Sequence, residues 1–291
     1  MAGTLPNAWL DGRLVPLAEA RVPALDRSFL FGDGIYEVMP VFDGKAYRLA
    51  EHLDRLERSL RELRIPNPHT RDEWRRICGA LIHTNGGGDQ YLYLQVSRGV
   101  GIGRSHLPEP GLVPLVFGFA APLPQPGAAQ LEAGMACVTI EDPRWTRCDI
   151  KSTALLGNVM AKMQAQDAGA VEAILLREGR VIEAGSSTVL VVRDGRVATP
   201  PDAHERLPGT TREVVLELAR REGIAVDIRE IAAAELRSAD EIWLTAAVMG
   251  LRAVTRLDGQ PVGNGVAGPL CRRLQALFES TRGEFCTECE A

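Results

Sequence analysis

The chain has 291 residues and contains very little lysine: of its 33 basic residues, only Lys45, Lys151 and Lys162 are lysines. Arginine keeps its proton in proteins, whereas a lysine that is buried or crowded by other cations can lose it and act as a nucleophile. Lys151 lies in a mainly uncharged stretch that follows two arginines and an aspartate. It is therefore a candidate for Schiff-base chemistry, although composition alone slightly favours an ordinary surface lysine.

Other absences limit the class of protein. The net charge is −5, so no positive surface is expected to attract nucleic acid or an anionic membrane. No apolar run reaches the roughly 18 residues that a membrane-spanning helix needs, and the N-terminus lacks the basic and apolar regions of a signal peptide. With 45% hydrophobic and 24% charged residues, the sequence is typical of a globular protein, and we expect it to be cytoplasmic.

The six cysteines indicate no metal centre. Four are dispersed and are expected to be reduced, mostly buried thiols. The other two, Cys286 and Cys289, have C-x-x-C spacing, but no second pair of Cys or His residues lies near them to complete a zinc site. We expect residues 283–291 to form a flexible acidic tail, with a redox or metal role for the two cysteines as the alternative.

The first half predicts a small α/β domain over residues 1–120. The glycine-rich stretch 26–37 is expected to be a shaped loop, because Gly32 and Gly34 suit a helix interior poorly. The remaining periodicity predicts a hairpin at 8–16, helices at 49–63 and 70–85, and strands at 35–42, 91–97 and 112–120.

Three cations in this half are ambiguous when judged from the sequence. Arg55 lies one position before Leu56, off the leucine stripe of its helix, and this spacing favours a solvated charge. Arg104 and His106 lie in the glycine- and proline-rich loop 98–110, which follows a strand. Such a loop could bind an anionic substrate, or it could be an ordinary solvated connection.

The second half predicts a larger domain over residues 129–282. Residues 121–128 contain three prolines and a glycine and are interpreted as the interdomain linker. Strands and helices then alternate, with strands expected at 134–140, 171–176, 187–193, 225–230, 241–245 and 252–257, and helices at about 154–168, 210–222 and 267–281.

Two features of this half could carry chemistry. Thr210 and Thr211 open a helix after Pro208-Gly209, and free N–H groups at a helix start bind phosphate, although threonine is also an ordinary cap. Glu183 lies between a strand segment and Ala-Gly-Ser-Ser. It could be a buried hydrogen-bond partner, but an exposed charge on an edge strand is the commoner outcome.

Taken in order, these segments resemble the fold type IV pyridoxal-phosphate enzymes, the branched-chain and D-amino acid aminotransferase class. The likeness runs from about Leu10 to Glu279, and it is strongest to the D-amino acid aminotransferases in DRSFLFGDGIYEV, EHLDRL, LQVSRG and RWTRCDIKS. It implies a two-domain α/β fold of the α+β type, with a smaller N-terminal α/β domain and a larger C-terminal domain around a mixed β-barrel-like sheet.

The resemblance also implies roles for individual residues. Lys151 would hold pyridoxal 5′-phosphate in a Schiff base and act as the general acid–base of the reaction. Glu183 would hydrogen-bond the pyridine nitrogen and keep it protonated. The remaining cofactor ligands would be Arg55, Ser187, Thr210, Thr211 and Thr245.

Substrate choice would depend on three other residues. In the family, a tyrosine, an arginine and a histidine bind the α-carboxylate of a D-amino acid, and Tyr36, Arg104 and His106 match them. By the family pattern, Arg104 and His106 would reach across from the second subunit of a homodimer. The implied reaction is ping-pong transamination through pyridoxamine phosphate, from a D-alanine-like donor to a 2-oxo acid.

Three alternatives remain at this point. A branched-chain L-amino acid or (R)-amine aminotransferase would share the fold, and an aminodeoxychorismate lyase-like enzyme would share Lys151 and Glu183. The Arg-x-His pair argues for D-amino acids and against the lyase. A protein that only binds a partner would require the spacing of Lys151, Glu183 and Arg55 to be a coincidence.

Overall fold

The computed structural model of the protein describes residues 3–290. By its internal contacts the chain forms two compact units. The first unit contains the residues up to Pro124, Ile150–Leu155 and the residues from Arg282; the second contains Gln125–Asp149 and Leu156–Thr281.

Strands and helices are distributed along the whole described chain. The strands are β1 (Asn7–Leu10), β2 (Arg13–Pro16), β3 (Gly34–Phe42), β4 (Lys45–Tyr47), β5 (Gln90–Ser97), β6 (Leu115–Pro122), β7 (Met135–Glu141), β8 (Glu172–Arg177), β9 (Arg180–Ala184), β10 (Thr188–Arg193), β11 (Arg196–Thr199), β12 (Val226–Ile228), β13 (Glu241–Ala246), β14 (Gly250–Leu257), β15 (Gln260–Pro261) and β16 (Cys286–Thr287). The α-helices are α1 (Arg27–Phe31), α2 (Leu49–Glu62), α3 (Arg71–Thr84), α4 (Ala128–Ala133), α5 (Leu156–Asp167), α6 (Thr210–Arg221) and α7 (Pro269–Ser280).

The first unit is built on a seven-stranded sheet in the order β16-β4-β3-β5-β6-β1-β2. Every neighbouring pair in it is antiparallel. The predicted leucine stripe of α2 is confirmed, since Leu49, Leu53, Leu56 and Leu60 are buried in the same apolar core as residues of β3 and β5. This packing places α2 against the strand that carries Tyr36.

A polar stripe on α2 lies beside the leucines and was not expected. His52, Arg55 and Ser59 follow each other at three- and four-residue spacing, and all three are buried. Arg55 Nε and Nη2 donate to the two oxygens of Glu37 on β3, at 2.8 and 2.7 Å. His52 Nδ1 lies 2.7 Å from Glu37 Oε2. The expectation that Arg55 is a solvated charge is therefore wrong, because a buried carboxylate compensates its charge.

The second unit is built on a nine-stranded mixed sheet. Its main path is β12-β11-β10-β13-β14-β7-β8-β9, with β15 paired to β14. The pairs β11–β12, β14–β7 and β7–β8 are parallel, and the other pairs are antiparallel. The predicted fold class, an α/β chain of the α+β type with a smaller N-terminal α/β part and a larger C-terminal part around a mixed sheet, is confirmed.

Two segments differ from the prediction. Ile150–Leu155 belongs to the first unit and not to a domain spanning 129–282, because its backbone bonds to β3. The glycine-rich stretch contains α1, which Asp26 caps through the Ser28 N–H and which Gly32 ends in the left-handed conformation. The glycines thus lie outside the helix and not in its interior.

The segment expected to be a flexible tail contains regular secondary structure. Residues Arg282–Phe285 form a 3-10 helix, and β16 pairs with β4 as the edge strand of the first sheet. Cys289 packs against the apolar core of the first unit. Within residues 3–290, no helix has both the length and the apolar character required to cross a membrane.

The Glu37 cluster yields a prediction for stability. Glu37→Gln leaves Arg55 buried without a counter-charge, so we expect the free energy of unfolding to fall by about 3–5 kcal/mol at pH 7. Urea unfolding followed by circular dichroism, at one fixed protein concentration, measures the change. Glu19→Gln, at an exposed position of the same unit, is the control.

The same difference should depend on pH in a defined direction. Burial alone raises the pKa of Glu37, but the charge and hydrogen bonds of Arg55, with those of His52, lower it from 4.5 to about 2. The stabilisation is therefore complete above the unfolded-state pKa and is lost as pH falls from about 4.5 towards 2. A gap between wild type and Glu37→Gln that stayed constant through this range would contradict the assignment.

Candidate active site

Lys151 is fixed through its backbone to the first unit. The Tyr36 N–H on β3 donates to the Lys151 carbonyl oxygen at 2.9 Å, and the Thr153 N–H donates to the Gly34 carbonyl at the same distance. On the other side, the Lys151 N–H donates to Ser59 Oγ of α2 at 3.3 Å. Three hydrogen bonds to two different elements therefore leave this segment little freedom.

The Lys151 side chain is half-buried and lies over an aromatic ring. Its Nζ is 4.2 Å from the centroid of the Tyr36 ring, and Tyr36 in turn stacks on Tyr93 with centroids 5.6 Å apart. An amine held on a rigid backbone beside a phenol is suited to covalent and proton-transfer chemistry. The structure thus brings two of the predicted site residues, Lys151 and Tyr36, into direct contact.

Glu183 is a buried carboxylate at the end of β9 in the second unit. Arg144 Nη1 donates to Glu183 Oε1, and the Leu207 N–H donates to Oε2 at 3.3 Å. Arg144 is itself oriented by Asp142, whose two carboxylate oxygens accept from its Nε and Nη2 at 2.8 Å each. The alternative of an exposed edge-strand charge is therefore wrong.

Opposing influences act on the protonation of Glu183. Burial raises the pKa of this carboxyl group above its ordinary value, while the charge and hydrogen bond of Arg144 and the Leu207 N–H act in the opposite direction. The net result is a raised pKa for Glu183, and the positive charge of Arg144 limits that increase. The role of Arg144 could have been suspected from its place in the lysine segment, but Glu183 is 39 positions away and nothing in the spacing joins them.

Hydroxyl groups gather where β10 and β13 approach the start of α6. Thr188 pairs with Thr245 in the strand register, and a Cβ at Gly209, the N-cap of α6, would lie only 2.7 Å from Thr188 Oγ1. Ser187 Oγ and Thr245 Oγ1 are buried and have no hydrogen-bond partner among the described residues. Buried hydroxyls without partners call for an added acceptor.

This cluster of hydroxyl side chains fits a bound phosphate. Helix α6 has no side-chain cap at its N-terminus, and the N–H groups in the first turn of a helix favour an anion. Thr210 and Thr211 occupy the first two helical positions, and Thr211 is buried. Four of the five expected cofactor ligands, Ser187, Thr210, Thr211 and Thr245, thus belong to the second unit, whereas Arg55 belongs to the first.

Arg104 and His106 lie on an exposed loop of the first unit. The carbonyl oxygens of Ser105 and His106 accept from Arg27 Nη1 and Nη2 at 2.7 and 2.9 Å, and the His106 ring meets Phe31 edge-on at 5.6 Å. Within residues 3–290, no hydrogen bond, ion pair or ring contact joins either side chain to Tyr36 or Lys151 of the same protomer. Sequence reasoning missed Arg27 altogether.

The described part of the chain contains no cluster of side chains that could bind a metal ion. No group of three or more His, Cys, Asp or Glu side chains there is arranged to hold an ion. Cys286 and Cys289 are both free thiols in the structure.

Comparison with known proteins gives one consistent result. The chain matches the family described as Amino-transferase class IV over residues 34–257. The D-alanine aminotransferase of Bacillus licheniformis is 38% identical over 271 residues, which cover 93% of this chain and 95% of that protein. That of Listeria monocytogenes serotype 1/2a (strain 10403S) is 35% identical over 282 residues, covering 97% and 98%.

Solved structures of similar fold are aminotransferases as well. The branched-chain amino acid aminotransferase of Escherichia coli superposes with a TM-score of 0.89 at 26% identity, covering 98% of this chain and 96% of that one. The T.th. branched-chain amino acid aminotransferase with pyridoxamine 5′-phosphate gives a TM-score of 0.91 at 25% identity, with 98% and 99% covered. A match over most of the chain, a buried acid, a phosphate-type donor set and a rigidly held lysine lead to one conclusion: the chain belongs to the class IV aminotransferases and is a pyridoxal-phosphate-dependent enzyme.

Proposed function

We propose that the protein transfers the amino group of a D-alanine-like D-amino acid to a 2-oxo acid. The observation that carries the chemistry is Lys151 Nζ, held over the Tyr36 ring by a backbone with three hydrogen bonds. The substrate class is supported by the Arg104-x-His106 loop and by the names of the relatives, which are D-alanine aminotransferases.

The bound cofactor supplies an electron sink that makes the α-hydrogen of an amino acid acidic. Lys151 would hold the cofactor, and its Nζ would take the proton from the substrate α-carbon and return it. This requires a lysine whose position does not depend on the cofactor, and the hydrogen bonds to β3 and α2 satisfy that condition.

Glu183 would provide the negative charge that favours a protonated pyridine nitrogen. Arg144 holds this carboxylate in place by a hydrogen bond and an ion pair, and its positive charge favours the charged form of the acid. For the phosphate, the ligands would be the hydroxyls and N–H groups of Ser187, Thr210, Thr211 and Thr245, together with Arg55, which Glu37 orients through two hydrogen bonds.

Substitutions at the lysine and the acid test this chemistry. Lys151→Ala should abolish steady-state turnover of D-alanine with a 2-oxo acid, because no group remains to carry the proton. Glu183→Gln should slow turnover by about 10²-fold or more through loss of the compensating charge. The control is Lys45→Ala, at a partly exposed lysine that pairs with Glu288, and it should keep wild-type rates. Full turnover by a cofactor-loaded Lys151→Ala protein would refute the mechanism.

Recognition of the substrate α-carboxylate would use Tyr36, Arg104 and His106. A guanidinium forms paired hydrogen bonds with a carboxylate, and a phenol and an imidazole add single donors. The alternative is a branched-chain L-amino acid, which the solved branched-chain enzymes of the same fold favour. The (R)-amine and lyase alternatives lack a comparable observation in their support.

Kinetics with separate substrates distinguish a D-amino acid enzyme from a branched-chain L-amino acid or (R)-amine enzyme. Arg104→Ala should raise the KM for D-alanine by about 10- to 100-fold, the loss of a charged hydrogen-bond pair, while the absorbance of the bound cofactor stays unchanged. Wild type should convert D-alanine faster than L-leucine or an (R)-amine. Faster conversion of L-leucine would retain the cofactor assignment and reject the D-amino acid preference.

We also infer a homodimer, because two apolar surfaces are open to solvent. In the first unit, Phe29, Ile102, Leu107 and Val113 are between 76% and 89% exposed. In the second, α5 exposes an apolar stripe at three- and four-residue spacing, formed by Leu156, Val159, Met160 and Met163. Apolar surface of this kind marks contact sites, and the first patch includes the loop of Arg104 and His106.

Light scattering coupled to size exclusion tests the dimer. We expect wild type to have twice the mass of one chain, and the double variant Ile102→Asp, Leu107→Asp to shift towards the monomer and lose activity with D-alanine. Leu14→Asp, at a partly exposed leucine outside both patches, should leave the mass unchanged. A wild-type monomer that is fully active would exclude shared active sites.

A further inference from the structure

A buried guanidinium supports the loop that carries Arg104 and His106. Arg27 is only 2% exposed. Because arginine is almost never buried without partners, its hydrogen bonds show what it holds. Its Nη1 and Nη2 donate to the carbonyl oxygens of Ser105 and His106. We propose that Arg27 is a positioning residue that sets the recognition of the substrate α-carboxylate through the backbone of this loop; the inference rests on the proposed function.

Asp33 fixes the orientation of Arg27 on the side away from the loop carbonyls. Its Nε donates to Asp33 Oδ2 at 2.8 Å, and Asp33 also accepts from Arg98 Nε and Nη2 at 2.8 and 2.9 Å. The carboxylate thus joins two guanidiniums. Burial alone raises the pKa of Asp33, but the hydrogen bonds and charges of Arg98 and Arg27 outweigh it and lower the value. Asp33 therefore stays ionised at neutral pH and keeps the fork of Arg27 in one plane.

Backbone contacts hold the start of the loop but not its tip. The Arg27 N–H donates to the Gly99 carbonyl at 3.0 Å, and the Gly101 N–H donates to the Leu25 carbonyl at 3.2 Å. At the tip, the Arg27 fork donates to the Ser105 and His106 carbonyls, and the His106 ring packs edge-on against Phe31. Arg27 also lies over the Phe31 ring, with Cζ 4.7 Å from its centroid.

This arrangement controls two side chains at once. Ser105 lies between Arg104 and His106 in the chain, so fixing the carbonyls of residues 105 and 106 fixes the Cα positions from which both cations project. Misplacing such donors by about 1 Å costs a large part of their effect. Lysine would keep a positive charge at position 27, but it lacks the planar fork that serves one carboxylate and two carbonyls together.

Half-reaction kinetics of the holoenzyme separate positioning from folding. Arg27→Lys should raise the apparent Kd for D-alanine by about tenfold or more, the loss of one charged hydrogen bond, while the limiting rate at saturation stays within about threefold. The second-order rate constant with an (R)-amine, which has no carboxylate to bind, should not change. Arg76→Lys, at an exposed position of α3, is the matched control for all three readouts.

A second variant covers the case in which Arg27→Lys does not fold. Phe31→Leu keeps Arg27 but removes the ring that packs against both it and His106, and it should raise the apparent Kd for D-alanine by about threefold without altering amine kinetics. An unchanged Kd for D-alanine in the folded variants would overturn the proposal. Equal losses with D-alanine and the amine would also overturn it, because they indicate general damage.

Failure of the proposed function gives a different result. If wild type reacts with L-leucine and not with D-alanine, the D-amino acid assignment is rejected, and so is the role of Arg27 in it. If wild type reacts with D-alanine and Arg27→Lys retains the wild-type Kd, only the positioning role is rejected.

Discussion

The hydrogen bonds between β3 and the segment Ile150–Leu155 are the constraint on which the first unit's chemistry depends. Successive residues of a strand point to opposite faces, so Tyr36 meets the Lys151 side chain while Glu37 turns towards α2. One strand therefore positions both the amine and the buried acid that orients Arg55. A shift of register by one residue would exchange these faces and lose both arrangements together.

Pairs of an arginine and a carboxylate with at least one buried partner recur at three places in the structure. Glu37 holds Arg55, Arg144 holds Glu183, and Asp33 holds Arg27. In each case the guanidinium uses several donors at once, which an ammonium group cannot reproduce with the same geometry. This explains in physical terms why the chain relies so heavily on arginine and keeps Lys151 for a task that arginine cannot perform.

Much of the fold could be predicted from the sequence, and the site features that could not be predicted share one cause. The α2 stripe and the helix that begins after Thr70 follow from local spacing, whereas the family resemblance supplied the fold and the role of Lys151. The burial of Arg55 could not be predicted from its helix, because its partner lies 18 positions away on β3. Arg27 was missed for the same reason: the carbonyls that it holds are 78 and 79 positions distant.

The pairing of β16 with β4 has a consequence for biosynthesis. Cys286 lies opposite Tyr47, so the first sheet joins segments that leave the ribosome far apart in time. Until translation has passed β16, the outer side of β4 is an unpaired strand edge, which is an aggregation-prone surface. Long-range contacts of this kind also slow folding, because a large loop must close before they form. The nascent chain thus passes through a prolonged stage in which binding by chaperones would be of use.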